Sequence, residues 1–458
     1  RYDYLLIADN FVVFDGWQTE IEEWVYGNWE NGHAHTSNIA VVGNAFVNGH
    51  PDNDPAFNLQ RAFRVTSHSS EDTTVLYRDN LAVGANIAIH WIGDNYTSNP
   101  PGTVLPVEIV GNTLIDNDTG IWVHTDDPVA DAAPGSAAPA GPMSKAIVRH
   151  TRLVGNTVAV RSDNAEVNAV ENWWGCNEGP GEEGCDDALY SGFTGFLEVD
   201  PWLVLGVATE DSLIDVGDDT GVVAFLEASA DLLEPEDMDF PDVDMAFDAE
   251  RGIVQPVVEA ENGVAFNTFT ADEQGIGWIS ASLDHATVAT PVLITDEGLV
   301  TVESVDESGD DPNLADNDYT RLNNLVQMVG DGVTIELVGV FDWTEPFASI
   351  SWSFGSDGVP DTWDDFAIAA PGGFDDVAIR ADQLGDAMIL GPGDMAGVDW
   401  ETFLMMWGGT FYGWTVENLD IRGFDWSIAM FYDSGSDFNG VSIVNNFIEV
   451  PTDVPGFH

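Results

Sequence analysis

The chain has 458 residues, with 80 acidic residues against 11 arginines and a single lysine, Lys145, for a formal charge of −68. A hydrophobic content of 44% with 11% aromatic residues excludes general disorder despite that charge. So acidic a surface repels nucleic acid and anionic membranes, and no stretch reaches the uninterrupted apolar length of a membrane span, so neither nucleic-acid binding nor membrane insertion is expected. The acidity has two physical readings: salt tolerance, with counter-ions screening self-repulsion, or Ca²⁺ held by acidic loops.

Taken in order, the chain opens without a signal peptide, since Arg1-Tyr2-Asp3-Tyr4 lacks a basic region ahead of an apolar segment. A strand pattern is already running at Leu5, as expected of an excerpt or a processed product. From Arg1 to about Leu205 one phrase repeats. It is clearest as Val107-Glu108-Ile109-Val110-Gly111-Asn112-Thr113-Leu114, followed by Gly120-Ile121-Trp122-Val123-His124. Copies occupy residues 38–46 and 153–158, with looser ones at 6–11 and 76–81. The asparagines Asn10, Asn44, Asn80 and Asn112 are separated by 34, 36 and 32 residues; Asn156 follows after 44, a step lengthened by the low-complexity insert 131–142. A fixed period with one elastic loop predicts stacked turns of short strands with Gly/Asn/Asp corners. The corner asparagine is expected to adopt the left-handed backbone region and to hydrogen-bond its equivalent one turn away. Downstream, Asn418 and Asn446 extend this predicted ladder.

Cys176 and Cys185 bound a Gly/Pro-rich loop. They are expected to form a disulfide worth ~2–3 kcal/mol, which places the chain in an oxidising compartment, extracellular or at the cell surface. The Val-Gly-Asn-Thr-Leu repeats end in Asn172-Trp173-Trp174-Gly175 and Val199-Asp200-Pro201-Trp202-Leu203. In this they resemble right-handed parallel β-helix proteins of the pectin-lyase-like superfamily, and in particular the final coil of such modules in large secreted proteins. The tryptophan pair is expected to be a core cluster closing the end of the stack.

Residues 206–297 change pattern: half-buried alternation at 222–226, 243–247, 264–269 and 277–283 predicts an antiparallel sandwich. Gly263 to Ala271, then Gly275 to Ala281, resemble bacterial Ig-like domains of invasin-type surface proteins. The stretch 298–318, with seven acids and no base, reads as an acidic linker. A short helical period follows, with Leu322, Leu325, Val326 and Val329 on one face, ahead of a strand at 333–339. That arrangement resembles the N-terminal cap of a β-helix. The fold expected is all-β: two partial right-handed parallel β-helices, at 1–205 and 319–458, separated by an Ig-like β-sandwich and the linker.

The chemistry is sparse. Arg61, Arg64, His68, Arg78, His90, His124, Arg149, Arg152 and Arg161 concentrate the chain's cations in the first repeat region. His124-Thr125-Asp126-Asp127 is a chance-level match to a hydrolase carboxylate pair. Lys145 has no matching partner. His33-Ala34-His35 with Glu20, Glu22 and Glu23 offers imidazoles and carboxylates for a metal, a pattern more often an exposed loop. For Ca²⁺ the candidate ligands are Asp116, Asp118, Asp310, Asp311, Asp316 and Asp318, scattered acids with no regular series. Asn95 and Asn117 begin glycosylation sequons of the kind that arise easily by chance. The expectation is a structural or adhesive protein forming a stiff rod or filament, with end-on copies of itself as partners. The alternative is a polysaccharide lyase or hydrolase on the lateral face of the first repeat region, with extracellular polysaccharide as partner.

Overall fold

A computed structural model describes residues 5–14, 21–26, 38–48, 61–68, 74–93, 106–125, 144–192, 195–229, 238–304, 318–342, 366–391, 402–407, 409–424, 426–431 and 436–449. Among these the chain is all-β apart from one helix.

The first unit is built in rounds of three short strands. Successive rounds are β1 (Leu5–Ala8), β2 (Phe11–Phe14) and β3 (Ile21–Tyr26); β4 (Asn38–Val42), β5 (Ala45–Asn48) and β6 (Arg61–His68); β7 (Thr74–Arg78), β8 (Leu81–Val83) and β9 (Ile87–Gly93). Next come β10 (Val107–Val110), β11 (Thr113–Ile115) and β12 (Thr119–Thr125), then β13 (Lys145–Arg149), β14 (Arg152–Val154) and β15 (Val158–Asp163). β16 (Glu166–Asn168) and β17 (Ala188–Ser191) form the next round, and β18 (Phe196–Glu198) pairs with β16 one round further on. Each strand pairs in parallel with its equivalent one round on, giving sheets β1-β4-β7-β10-β13-β16-β18, β2-β5-β8-β11-β14 and β3-β6-β9-β12-β15-β17. Strand alternation decides which side chains enter the core: Val107 and Ile109 are buried between the sheets while Glu108 is exposed. Ile39, Val75, Tyr77, Ile109, Val148 and Val167 belong to the same core.

The middle unit has two sheets over one core. Its strands are β19 (Leu203–Thr209), β20 (Leu213–Asp215), β21 (Asp219–Ala228), β22 (Val243–Ala249), β23 (Gly252–Ile253), β24 (Val257–Ala260), β25 (Val264–Ala271), β26 (Gly275–Leu283) and β27 (Ala286–Thr295). They are ordered β19-β21-β25-β23 and β20-β27-β26-β22-β24, antiparallel except at β20–β27. Met238 and Phe240, in the acidic stretch ahead of β22, are buried in this core beside Leu226, Phe247 and Phe269.

The stretch expected as a linker, 298–318, opens with β28 (Leu299–Glu303), which pairs in parallel with β29 (Thr334–Asp342). Helix α1 (Asp318–Gln327) lies between them in sequence, and its apolar face, Leu322, Leu325 and Val326 with Val329 just beyond, is buried in the core of the final unit. β29 spans two sheets, its start pairing with β32 (Ala378–Arg380) and its end with β33 (Ala387–Leu390). β30 (Phe366–Ala370) and β31 (Phe374–Asp375) complete that round. Two further rounds of four follow: β34 (Thr402–Trp407), β35 (Thr410–Tyr412), β36 (Thr415–Glu417) and β37 (Asp420–Arg422), then β38 (Trp426–Phe431), β39 (Asp437–Asn439), β40 (Ser442–Val444) and β41 (Phe447–Glu449). All pair in parallel with the round before.

Candidate functional site

Three sets of residues carry the arrangement: the corner columns, the outer face of the third sheet, and the junctions between units. At the first corner, Asn44 and Asn80 each act as donor and acceptor between rounds. Asn44 Nδ2 donates to Asn80 Oδ1 (3.0 Å) and to the Ile7 carbonyl, while Asn10 Nδ2 and N both donate to Asn44 Oδ1. Asn80 repeats this with Asn112 and the Val41 carbonyl, and Asn112 Nδ2 reaches the Tyr77 carbonyl. These amides are buried, and pairing them to one another and to main-chain carbonyls avoids the cost of dry polar groups.

Three features of this ladder differ from the expectation. Asn156 is not its next member: Thr151 takes that place, its N–H donating to Asn172 Oδ1 (3.0 Å). Asn156 belongs to a second column at the following corner, donating to Asp186 Oδ2 and accepting from Asn117 Nδ2 (2.8 Å). The left-handed residue is also not the asparagine but the one before it, in the order Asp9, Gly43, Asp79, Gly111, His150, Glu171. In the final unit the offset is the same, which makes Asn445 and not Asn446 the equivalent of Asn418. Asn418 and Asn445 are themselves left-handed and paired (2.6 Å), while Asn446 faces Leu419, whose N–H it accepts (2.8 Å).

The acids of the left-handed column alternate with glycine for a steric reason. A Cβ on Gly43 would lie 2.7 Å from Asp9 Oδ1, and one on Gly111 would lie 2.8 Å from Asp79 Oδ1. The carboxylates of Asp9 and Asp79 thus fold over the bare backbone of the next round. At the second column Asp186 is buried, and burial raises its pKa from 3.8 to about 6 against the opposing hydrogen bonds from Asn156.

On the third sheet, His90, Trp122 and Arg161 are in register across β9, β12 and β15. The His90 ring is stacked on Trp122 (centroids 4.7 Å apart, 10° between planes), and the Arg161 guanidinium lies 4.7 Å from the indole centroid. One round position on, His124 Nδ1 and His90 Nε2 are 3.0 Å apart, which requires one ring nitrogen to donate and the other to accept. Asp163 Oδ2 accepts from Trp122 Nε1 (2.9 Å) and Arg161 Nε (2.9 Å). Among the described residues this network holds one carboxylate, already engaged, and Trp122 has neighbours stacked on it from both adjoining strands. The geometry suits a cross-strand stack that ties three rounds together.

The remaining candidates fall as follows. Arg78 pairs with Asp239, Arg152 with Asp284, and Lys145 with Glu166 (2.7 Å). Arg149 ends β13 with its side chain exposed. Arg61, Arg64 and His68 lie on β6, and Glu22 and Glu23 on β3. Asp116 is a left-handed corner residue, and Asp118 Oδ2 accepts from Asn86 Nδ2 (2.7 Å). Asp318 is buried in the first turn of α1, 3.5 Å from Arg321 Nη1. Asp310, Asp311, Asp316, Glu20, His33, His35, Asn95, Asp126 and Asp127 lie outside the described residues. The sequon asparagine Asn117 is buried within the second column. Cys176 and Cys185 form a disulfide with Cα atoms 5.2 Å apart. Among the described residues, the one group at metal-ligand spacing is these two cysteines with Glu178, and sulfurs bonded to each other are not thiolate ligands.

The tryptophan pair is split. Trp174 packs in the first core, but Trp173 packs in the core of the middle unit, with its Nε1 donating to Asp284 (2.8 Å). Asp284 sits in the turn between β26 and β27 and also receives Arg152 Nε (3.0 Å), while the His285 N–H donates to the Gly175 carbonyl (3.0 Å). Nearby, the Asp239 N–H donates to His150 Nδ1 (3.1 Å), and burial lowers the His150 pKa, consistent with a neutral acceptor ring. No protein family, curated protein or solved structure matches this chain. Function must therefore be argued from the contacts themselves. No described helix is long and apolar enough to cross a membrane.

Proposed function

We propose that this protein is an extracellular structural or adhesive element, a stiff rod in which two right-handed parallel β-helices flank an Ig-like sandwich. The observation that carries this reading is the continuity of packing through both junctions. Adjacent residues of an extended chain point to opposite sides, so Trp173 and Trp174 pin two cores from one strand. At the other junction Leu293 is buried in the core of the final unit, with Leu213 and Ile276 packed against it, and β28 leads out of the sandwich into that unit's sheet. Units joined by buried aromatic and aliphatic side chains resist bending more than units joined by a polar linker.

Arg78, Lys145, Arg152 and Arg161 of the first unit are engaged with acids or a ring, which supports structure over catalysis. The disulfide supports an oxidising compartment. Ca²⁺ remains part of the proposal as a counter-ion for the acidic surface rather than through a defined ligand set. The outer edges of β1, β2 and β3 pair on one side among the described residues, as do those of β38 to β41. Phe11 is 72% exposed at one such edge and Phe447 46% at the other. A strand edge of this kind accepts a further coil, and the reading extends to end-on stacking of copies as the route to a filament.

Small-angle scattering and electron microscopy of the purified chain test it. A rod of constant cross-section, lengthening with concentration in salt or Ca²⁺, is the expected result. Particles bending freely at the Trp173 or Leu293 junction would overturn the rod, and dispersed single particles under every condition would overturn the end-on assembly.

A further inference from the structure

Between the middle and final units lies a cleft of about 990 Å³. Clefts of this size at unit boundaries are where small ligands bind. Its walls come from the turn before β26, from β28 and from α1, elements on both sides of the junction.

Two of the chain's 11 arginines, Arg251 and Arg321, line it. Both are held through one nitrogen. Arg251 Nη1 donates to Glu273 Oε1 and to the Gln274 carbonyl (2.8 Å), and Arg321 Nη1 donates to the Glu303 carbonyl (3.0 Å) and faces Asp318 Oδ1 at 3.5 Å. Among the described residues, Nε and Nη2 of both guanidiniums have no hydrogen-bond acceptor. The side chain of Arg251 is positioned by Gly275, where a Cβ would come within 3.0 Å of its Nε. Gln274 is fixed as well, its Oε1 accepting from the Thr301 N–H (3.3 Å). On the same cleft Trp278 is 38% exposed, and its indole makes no hydrogen bond among the described residues.

We propose that this cleft binds a neutral oligosaccharide. Sugar hydroxyls both donate and accept, and the lining alternates the two partners they need. Guanidinium edges donate, and the carboxylates of Glu250, Glu273 and Glu303 accept. The exposed indole offers a flat apolar face for the C–H face of a pyranose ring. Three acids against two arginines leave the lining nearly balanced in charge, and the chain's −68 field disfavours a polyanion. The site differs from the lateral face of the first unit, where Trp122 is flanked by His90 and Arg161.

Isothermal titration of the whole chain with cellohexaose, xylohexaose, mannohexaose and maltohexaose tests the proposal, with hexagalacturonate as the charged comparison. At least one neutral hexasaccharide is expected to bind, and Trp278→Ala to weaken it about tenfold or more. The control Phe266→Ala, an exposed aromatic remote from the cleft lining, is expected to leave affinity unchanged. Because Trp278 is exposed, unchanged melting of Trp278→Ala separates loss of a ligand contact from loss of fold. Absence of binding by all four neutral sugars, affinity that survives Trp278→Ala, or tighter binding of hexagalacturonate would each overturn it. The rod is judged separately, by scattering, and neither result decides the other.

Discussion

The two parallel-strand units hold their rounds together by different means. In the first, buried asparagine amides link round to round at two corners. In the last, the corner asparagines are few and Asn418 and Asn445 bond on the surface, while rings of the core meet one another across rounds. Phe411 stacks on Phe438 (5.2 Å, 11°) one round away and meets Trp414 edge-on at 5.6 Å; Phe403 lies 5.8 Å from Phe424. A parallel stack is therefore stable with a polar spine or an aromatic one. The polar spine fixes register, because each buried amide meets one equivalent residue of the next round. The aromatic spine supplies burial and tolerates a slip more readily.

Substitutions sharpen that contrast. Phe411→Ala, removing a fully buried ring from the aromatic spine, is expected to cost about 3–5 kcal/mol, read as loss of hydrogen-exchange protection across β31, β35 and β39. Equal loss throughout the first unit would break the distinction between the two. Asn80→Ala strips a buried amide of bonds to Asn44, Asn112 and the Val41 carbonyl, and about 2–4 kcal/mol of local protection in β5, β8 and β11 should go with it. A loss no greater than at an exposed asparagine would show the column to be ornamental.

The pH dependence of the second column is smaller and has a definite sign. Asp186 has a folded-state pKa of about 6, above its unfolded value of 3.8, so between these the folded chain retains a proton that the unfolded chain lacks. Its contribution to stability is greatest below the lower value, falls as pH rises toward 6, and is level above. Asp186→Asn keeps an acceptor for Asn156 and removes that slope. Its melting temperature should match wild type in acid and exceed it at neutral pH. A constant difference across the range would contradict the assignment. Smallest of all, Asn418→Gly preserves a left-handed residue on the surface and should change stability by less than about 1 kcal/mol in urea melts.

Much of this architecture was legible in the residues. The alternation at 107–114 and the recurrence of Gly-Asn identified strands and corners, and the apolar face of α1 was evident from Leu322, Leu325, Val326 and Val329. The column membership was not, because both corners use the same device, a left-handed residue followed by asparagine. Gly111-Asn112 and Gly155-Asn156 look alike while standing at different corners. The one clue was the spacing, 44 residues from Asn112 against 39 from Asn117. In the final unit Asn445-Asn446 offers two adjacent amides, and only strand register decides that Asn445 faces Asn418. The division of Trp173 from Trp174 was readable from the period of an extended chain. Their assignment to two cores was not, since the second core is assembled from residues 30 to 120 positions downstream. The arginine cleft joins Arg251 to Arg321 across a unit boundary, which no local spacing reveals.

The alternation of Asp9, Gly43, Asp79 and Gly111 bears on how such a stack grows over generations. Excising or duplicating a single round would set two carboxylates face to face, or align two glycines and leave a gap between them. Excising or duplicating two rounds preserves the order. The heritable module of this part of the chain is therefore a pair of rounds, about 70 residues. Expansions and contractions are expected to occur in even numbers of coils, with odd ones surviving only where a neutral residue has replaced one of the acids.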